Sequence, residues 1–195
     1  MTSGYLKGRL RREDIITAAI EVYGEAGYGG SSMRAIAKRV GMTHAGLVYY
    51  FPSKQALLAA VLERRDTEDA EREHLAGPPG LDGLRRLVDL AAYNVQHRPI
   101  VDLYARLAAE AVTVGHPAHD YFERHYRDAR NYTVASFTVL AERGEMRDDI
   151  SPHEAAVTFI ALMDGLQVQW LTTPDAVDLV GSLRGYLHGV LLVAL

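Results

Sequence analysis

Apolar residues recur every three or four positions along nearly the whole chain, and no stretch alternates apolar with polar long enough to make a half-buried strand. That periodicity restricts the chain to an all-α fold, and its interruptions place the helices. Arg12 to Ala26 carries Ile15, Ile16, Ala19, Ile20 and Tyr23 on one face, with Gly27 as its stop. After the turn Tyr28-Gly29-Gly30, Ser31 or Ser32 can cap a short helix over Met33 to Val40, which Gly41 ends. Thr43 can cap a third, and Pro52-Ser53 separates it from a longer fourth, Lys54 to His74.

The run Gly77-Pro78-Pro79-Gly80 cannot continue a helix and marks a loop. Beyond it the pattern predicts helices over Leu81 to His97, Pro99 to Val114, Ala118 to Arg143, Pro152 to Leu171 and Pro174 to Val193, about nine in all. Ser151-Pro152-His153-Glu154 places a capping serine, a proline at the first helical position and a glutamate able to reach back. Thr173-Pro174 repeats the cap and proline.

Charge is unevenly spread. Over residues 1–65, 10 Lys and Arg stand against 5 Asp and Glu; over the rest, 11 stand against 20. A basic front and an acidic back are expected if the first module meets phosphates and the second does not. The absence of cysteine removes disulfides and thiolate metal clusters. With no secretory signal and no apolar run of about 18 residues, the expected location is the cytoplasm, away from any membrane.

Two short helices meet at a glycine turn within Ser31 to Phe51. Ile36, Ala37, Val40, Met42 and Leu47 supply a small core that sets the angle between them, and a helix so held can enter a major groove. The elements Met-Arg-x-Ile-Ala, Gly-x-Thr and Leu-x-Tyr-Tyr-Phe-x-Ser-Lys resemble the signature of the TetR family of transcription regulators. The resemblance implies a helix-turn-helix domain over residues 1–55 and a helical regulatory and dimerisation domain over residues 56–195. By position it places Thr43, His44, Ala45, Val48 and Tyr49 at bases or nearby phosphates and Ser32, Arg34, Tyr50 and Lys54 on the backbone, with Phe51 in the core. His44 replaces the lysine common in the family and Val48 an aromatic residue. Lys7, Arg9, Arg11 and Arg12 form a basic arm suited to phosphates or a minor groove.

In the back domain, the helix from Pro152 to Leu171 is apolar around its circumference, so two of its sides need covering. The last helix carries Gly181, Gly185 and Gly189 at spacings of four. Each glycine costs about 1 kcal/mol against alanine in a helix interior, and close packing is the expected compensation. Phe159, Met163, Leu166, Gly181, Gly185 and Gly189 are therefore expected at a twofold homodimer interface, an arrangement the family resemblance also implies. Two readers on one dimer imply a palindromic double-stranded DNA operator. Tyr93, Asn94, His97, Tyr104, Tyr126, Asn131 and Trp170 are candidates for contact with a small organic ligand, which the resemblance implies would release a repressor from DNA.

His116, His119, Asp120 and His125 raise the alternative of a metal-responsive regulator, against which stands the lack of a tight paired-histidine motif. A DNA-binding architectural protein without ligand control is a further alternative. No cofactor motif, nucleophile elbow or phosphate loop points to an enzyme.

Overall fold

The stripe Ile15, Ile16, Ala19 and Tyr23 is at most 1% exposed and lies along one side of α1 (Thr2–Gly30), as its helical spacing requires. The computed structural model describes the backbone of residues 2–71 and 77–195 and the side chains of residues 6–65 and 77–195. At Gly27 α1 kinks, with φ of 71°, a left-handed conformation that a side chain resists. The break falls at the expected stop, but the helix begins at Thr2, well before Arg12. The basic residues Lys7, Arg9, Arg11 and Arg12 are thus helical and not an extended arm. Arg11 donates to Val40 O at 3.0 Å, and the Arg12 guanidinium lies 4.7 Å from the Phe51 ring centre.

Next come α2 (Met33–Arg39), α3 (His44–Tyr50) and α4 (Lys54–Glu71). Ile36, Leu47, Phe51, Leu57 and Leu58 are 2% exposed or less, and burial of each such side chain contributes about 1.5–3 kcal/mol. Val40 and Met42 are only half-buried, so the small core rests on Ile36, Ala37 and Leu47. Ser53 Oγ accepts from Ala56 N at 3.1 Å and starts α4; the expected end of that helix, His74, lies outside the described residues.

Contacts divide the chain into two units, Met1–Thr67 with Asp102–His119, and Glu68–Val101 with Asp120–Leu195. The first unit therefore extends past residue 55 and recruits a later stretch. Specific contacts explain why: Arg64 bonds Thr17 Oγ1 at 2.8 Å, Arg65 lies 3.7 Å from the Tyr104 ring centre, and the Tyr28 and His116 rings meet edge to face at 5.4 Å.

The remaining helices are α5 (Leu81–Gln96), α6 (Arg98–Glu110), α7 (His119–Glu142), α8 (Pro152–Thr172) and α9 (Leu179–Val190). In the second unit Leu84, Phe137, Leu140, Phe159, Leu183 and Leu187 form a core with no exposure. Glycine is required at Gly83, because a Cβ there would sit 2.9 Å from both Tyr132 Oη and Ser136 Oγ of α7. The reciprocal cap at α8 is present: Ser151 Oγ accepts from Glu154 N at 3.2 Å and the Glu154 carboxylate accepts from Ser151 N at 3.1 Å.

Two helices are shorter than expected. α6 stops at Glu110, and residues 111–118 turn, with Gly115 at φ of 90°. Thr173-Pro174 starts only a 3-10 turn, and α9 begins after Asp178, whose carboxylate accepts from Gly181 N at 2.8 Å. After Val190, Leu191 is extended and bridges Met146.

These caps and cores put the expected dimer residues in different settings. Phe159 is 0% exposed inside its own chain and cannot meet a partner. Met163 and Leu166 pack as half-buried members of the same core. A Cβ on Gly181 would run into the Asp178 carboxylate, so its hydrogen serves the cap. Gly185 and Gly189 are different: both are exposed, and nothing lies within 4 Å of a Cβ placed there. Alongside them α8 leaves Val157, Ala161, Gly165 and Val168 exposed.

Candidate nucleic-acid interface

Thr43 starts α3 with its Oγ1 accepting from Gly46 N at 3.1 Å, and Ser32 starts α2 the same way through Ala35 N at 3.1 Å. Caps of this kind contribute about 1 kcal/mol each. Both hydroxyls accept within the protein and keep their O–H donors for a phosphate oxygen. Gly41, at φ of 67°, makes the turn between the helices. At Gly46 a Cβ would sit close to the cap, 3.3 Å from Thr43 Oγ1 and 3.4 Å from Met42 Cε.

Leu47, at 0% exposure, anchors α3. Its other side is open: Thr43, His44 and Ala45 are exposed, Val48 and Tyr50 are half-buried, and Tyr49 is 86% exposed. Tyr49 meets the Tyr50 ring edge to face at 5.4 Å, which holds it without burying it. The surface can offer hydroxyls, an imidazole, small apolar groups and an aromatic face. Those groups suit phosphates, base edges and the thymine methyl.

Arg34 is exposed on α2, one turn before Lys38, which is exposed on the same face. Lys38 is an addition to the expected set, and its spacing of four from Arg34 was the available signal. Arg39 is not available in the same way. It bonds Glu21 at 3.0 Å and Glu25 at 2.7 Å on α1. Those bonds raise the arginine's pKa further, while the Arg39 hydrogen bond holds the Glu25 carboxyl below its usual range.

Lys54 departs most from expectation. Its Nζ donates to Tyr28 O and, at 2.7 Å, to Ser31 O, and it lies 4.2 Å from the Tyr28 ring centre. Burial lowers its pKa, with the Glu110 charge acting the other way. Its ammonium fastens the end of α1 to the start of α2, a structural task in place of the phosphate contact that position alone suggested.

The back-domain candidates fall into different settings. Tyr93 and His97 stack with ring centres 3.7 Å apart. Asn94 and Trp170 are 3% and 7% exposed, and Arg98 sits 5.4 Å from the Trp170 ring centre. Tyr104 is buried beneath Arg65 in the first unit. Asn131 is exposed, which removes it from any buried set. Burial, then the nearby Asp164 carboxylate of α8, raise the phenol pKa of Tyr126 on α7 well above the usual range.

The histidines do not assemble a metal centre. Among the described residues no group of three His, Cys, Asp or Glu side chains converges. His116 Nδ1 accepts from Ala118 N at 3.2 Å with Nε2 3.5 Å from Glu110 Oε2, and His119 Nδ1 lies 2.8 Å from Ala111 O.

Residues 15–61 match the family profile of bacterial regulatory proteins, tetR family. Residues 81–190 match that of the BetI-type transcriptional repressor, C-terminal. The chain is 26% identical over 189 residues to the HTH-type transcriptional regulator TtgR of Pseudomonas putida, covering 89% of this chain and 86% of the relative. It is 28% identical over 174 residues to the A-factor receptor protein of Streptomyces griseus, covering 86% of this chain but 58% of that protein. A Saccharomonospora viridis transcriptional regulator solved in complex with choline superposes with a TM-score of 0.77 at 22% identity, covering 93% of this chain and 98% of that one.

Proposed function

Because the chain belongs to the TetR family of helix-turn-helix transcriptional regulators, we propose that it represses transcription from a palindromic operator and releases it when a small organic molecule binds the second unit. The open face of α3, capped by Thr43 and anchored by Leu47, carries this reading. Rigid support from behind and polar, small and aromatic groups in front are what groove recognition needs. Thr43, His44, Ala45, Val48 and Tyr49 face the bases and adjoining phosphates. Ser32, Arg34, Lys38 and Tyr50 set the register on the backbone.

The assembly is a homodimer joined along α8 and α9. The exposed strip of Val157, Ala161, Gly165 and Val168 with Gly185 and Gly189 supports this, since small residues allow helix axes to approach closely. Ligand control then follows from different affinities for two dimer shapes, of which DNA selects one. The choline held by the S. viridis protein supports a small organic effector for this chain.

Selection of bound duplexes from a random pool at fixed salt tests the proposal. Enrichment of a twofold-symmetric site with half-sites about one helical turn apart is the expected result. Equal binding of all duplexes, or no binding at low salt, would refute it.

A further inference from the structure

His116 Nε2 is a buried side-chain nitrogen without a hydrogen-bond partner. Interiors rarely leave such an atom unpaired, because its desolvation then goes uncompensated. The ring sits in the turn after α6, and its other nitrogen is taken: Nδ1 accepts from Ala118 N at 3.2 Å. A nitrogen that accepts carries no proton, so the neutral ring holds its single proton on Nε2. That N–H faces Glu110 Oε2 at 3.5 Å, near enough for charge to act but too long for a strong hydrogen bond.

Three helices of the first unit supply the groups around this ring. On α1, the Tyr28 ring meets it edge to face at 5.4 Å. The Lys54 ammonium of α4 lies 4.2 Å from the centre of that same Tyr28 ring and donates to Tyr28 O. Glu110, at the end of α6, approaches Gly27, where a Cβ would stand 3.2 Å from its Oε1. Burial disfavours the Lys54 ammonium, and the Glu110 charge supports it. On the turn itself, His119 Nδ1 donates to Ala111 O at 2.8 Å, a bond that a neutral and a charged imidazole can both make. Tyr28 is thus a shared seat for His116 and Lys54, and one carboxylate serves both.

A second proton can enter the His116 ring only at Nδ1. Imidazolium donates from both nitrogens and accepts at neither, so Nδ1–H and Ala118 N–H would oppose each other. Ala118 is 0% exposed, which denies its N–H a ready replacement from water. The new charge also strengthens the pull of Glu110 on the Nε2 side. Both effects move the ring the same way, off Ala118 and toward the carboxylate. That movement disturbs the edge contact on Tyr28 and draws the Glu110 charge away from Lys54, whose bond to Ser31 O ties α1 to the start of α2.

Resting on the operator-binding reading above, we propose that His116 is a proton-operated latch: the neutral ring holds the corner of α1, α2 and α4 in its DNA-binding form, and protonation releases it. Operator affinity then falls as pH falls through the range in which imidazoles titrate, and by reciprocity operator binding expels a proton. The sign is diagnostic. His44, exposed on α3, would act the opposite way, since a charge gained there attracts phosphate.

The test uses the full chain and the duplex enriched from the random pool, at fixed salt, with affinity read by fluorescence anisotropy from about pH 8 to about pH 5.5. His116→Asn keeps an acceptor for the N–H two residues on and gains no charge over that range. The unmodified chain should lose at least about fivefold more affinity than His116→Asn on acidification. Glu110→Gln removes the pull on the charged ring, so its loss should begin at lower pH. Calorimetry in buffers of different ionisation enthalpy should show proton release on duplex binding, reduced in His116→Asn. Parallel profiles for the unmodified chain and His116→Asn, or a smaller loss in the unmodified chain, would overturn the latch. Should circular dichroism show His116→Asn unfolded, Glu110→Gln decides: a loss moved to lower pH supports the latch, and an unmoved one refutes it. A chain that selects a duplex but gives parallel profiles loses this device alone, whereas one that selects no duplex at any pH loses the regulatory reading and the latch with it.

Discussion

Replacing Lys54 by methionine separates an internal fastening from a phosphate contact. The ammonium donates to Tyr28 O and Ser31 O and lies over the Tyr28 ring. Hydrogen bonds from a charged donor contribute about 1.5–3 kcal/mol each, and a cation over an aromatic ring at an exposed site about 0.5–1. The lysine is half-buried, which favours the lower ends, and methionine keeps most of the aliphatic stem. The expected destabilisation is therefore about 3–4 kcal/mol, read as a lower urea midpoint with an unchanged slope. Operator affinity should fall, because the start of α2 loses its tie to α1. The dependence of log affinity on log salt should keep its slope, since no phosphate contact is lost. A variant that unfolds within about 0.5 kcal/mol of the parent and loses about one unit of salt slope would refute the internal assignment.

Other substitutions probe the remaining claims. Thr43→Ala should cost about 1 kcal/mol of stability through the lost cap, whereas Tyr49→Ala should leave unfolding within about 0.5 kcal/mol and lower operator affinity about tenfold or more; the reverse pattern would remove Tyr49 from the interface. Gly189→Leu should leave the monomer folded, because space surrounds that position, and should weaken the dimer by about 1–3 kcal/mol through overpacking, as read by sedimentation; unaltered association would move the interface elsewhere. The Ser151 hydroxyl and backbone N–H hold the Glu154 carboxyl below its usual range. A lowered native pKa means a contribution present above the ordinary glutamate value and lost as pH falls through the lowered one. The melting advantage over Glu154→Gln should therefore shrink on acidification from neutrality, and a constant difference would refute the pairing.

Helical periodicity exposed most of the architecture because it reports burial directly, and the reader's core residues Ile36 and Leu47 followed from it. Residues 2–11 lack a continuous apolar stripe, so periodicity does not reveal their helix. Thr173-Pro174 suits a 3-10 turn as well as a helix start, and Asp178, the true cap, gives a similar signal. In α8 an apolar circumference leaves no phase by which to tell the core side, which holds Phe159, from the open side, which carries Ala161 and Gly165. Signature spacing positions Lys54 but does not say which way its ammonium points.

The first unit is assembled from two separated stretches of chain, residues 102–119 having joined the N-terminal helices. A chimera made with one crossover after Thr67 would leave Arg65 and Tyr28 beside foreign side chains in place of Tyr104 and His116. Grafting this head onto another member of the family therefore calls for transplanting both stretches together. Changes at Tyr104 or His116 should likewise register in operator assays, although both positions are remote in sequence from the signature.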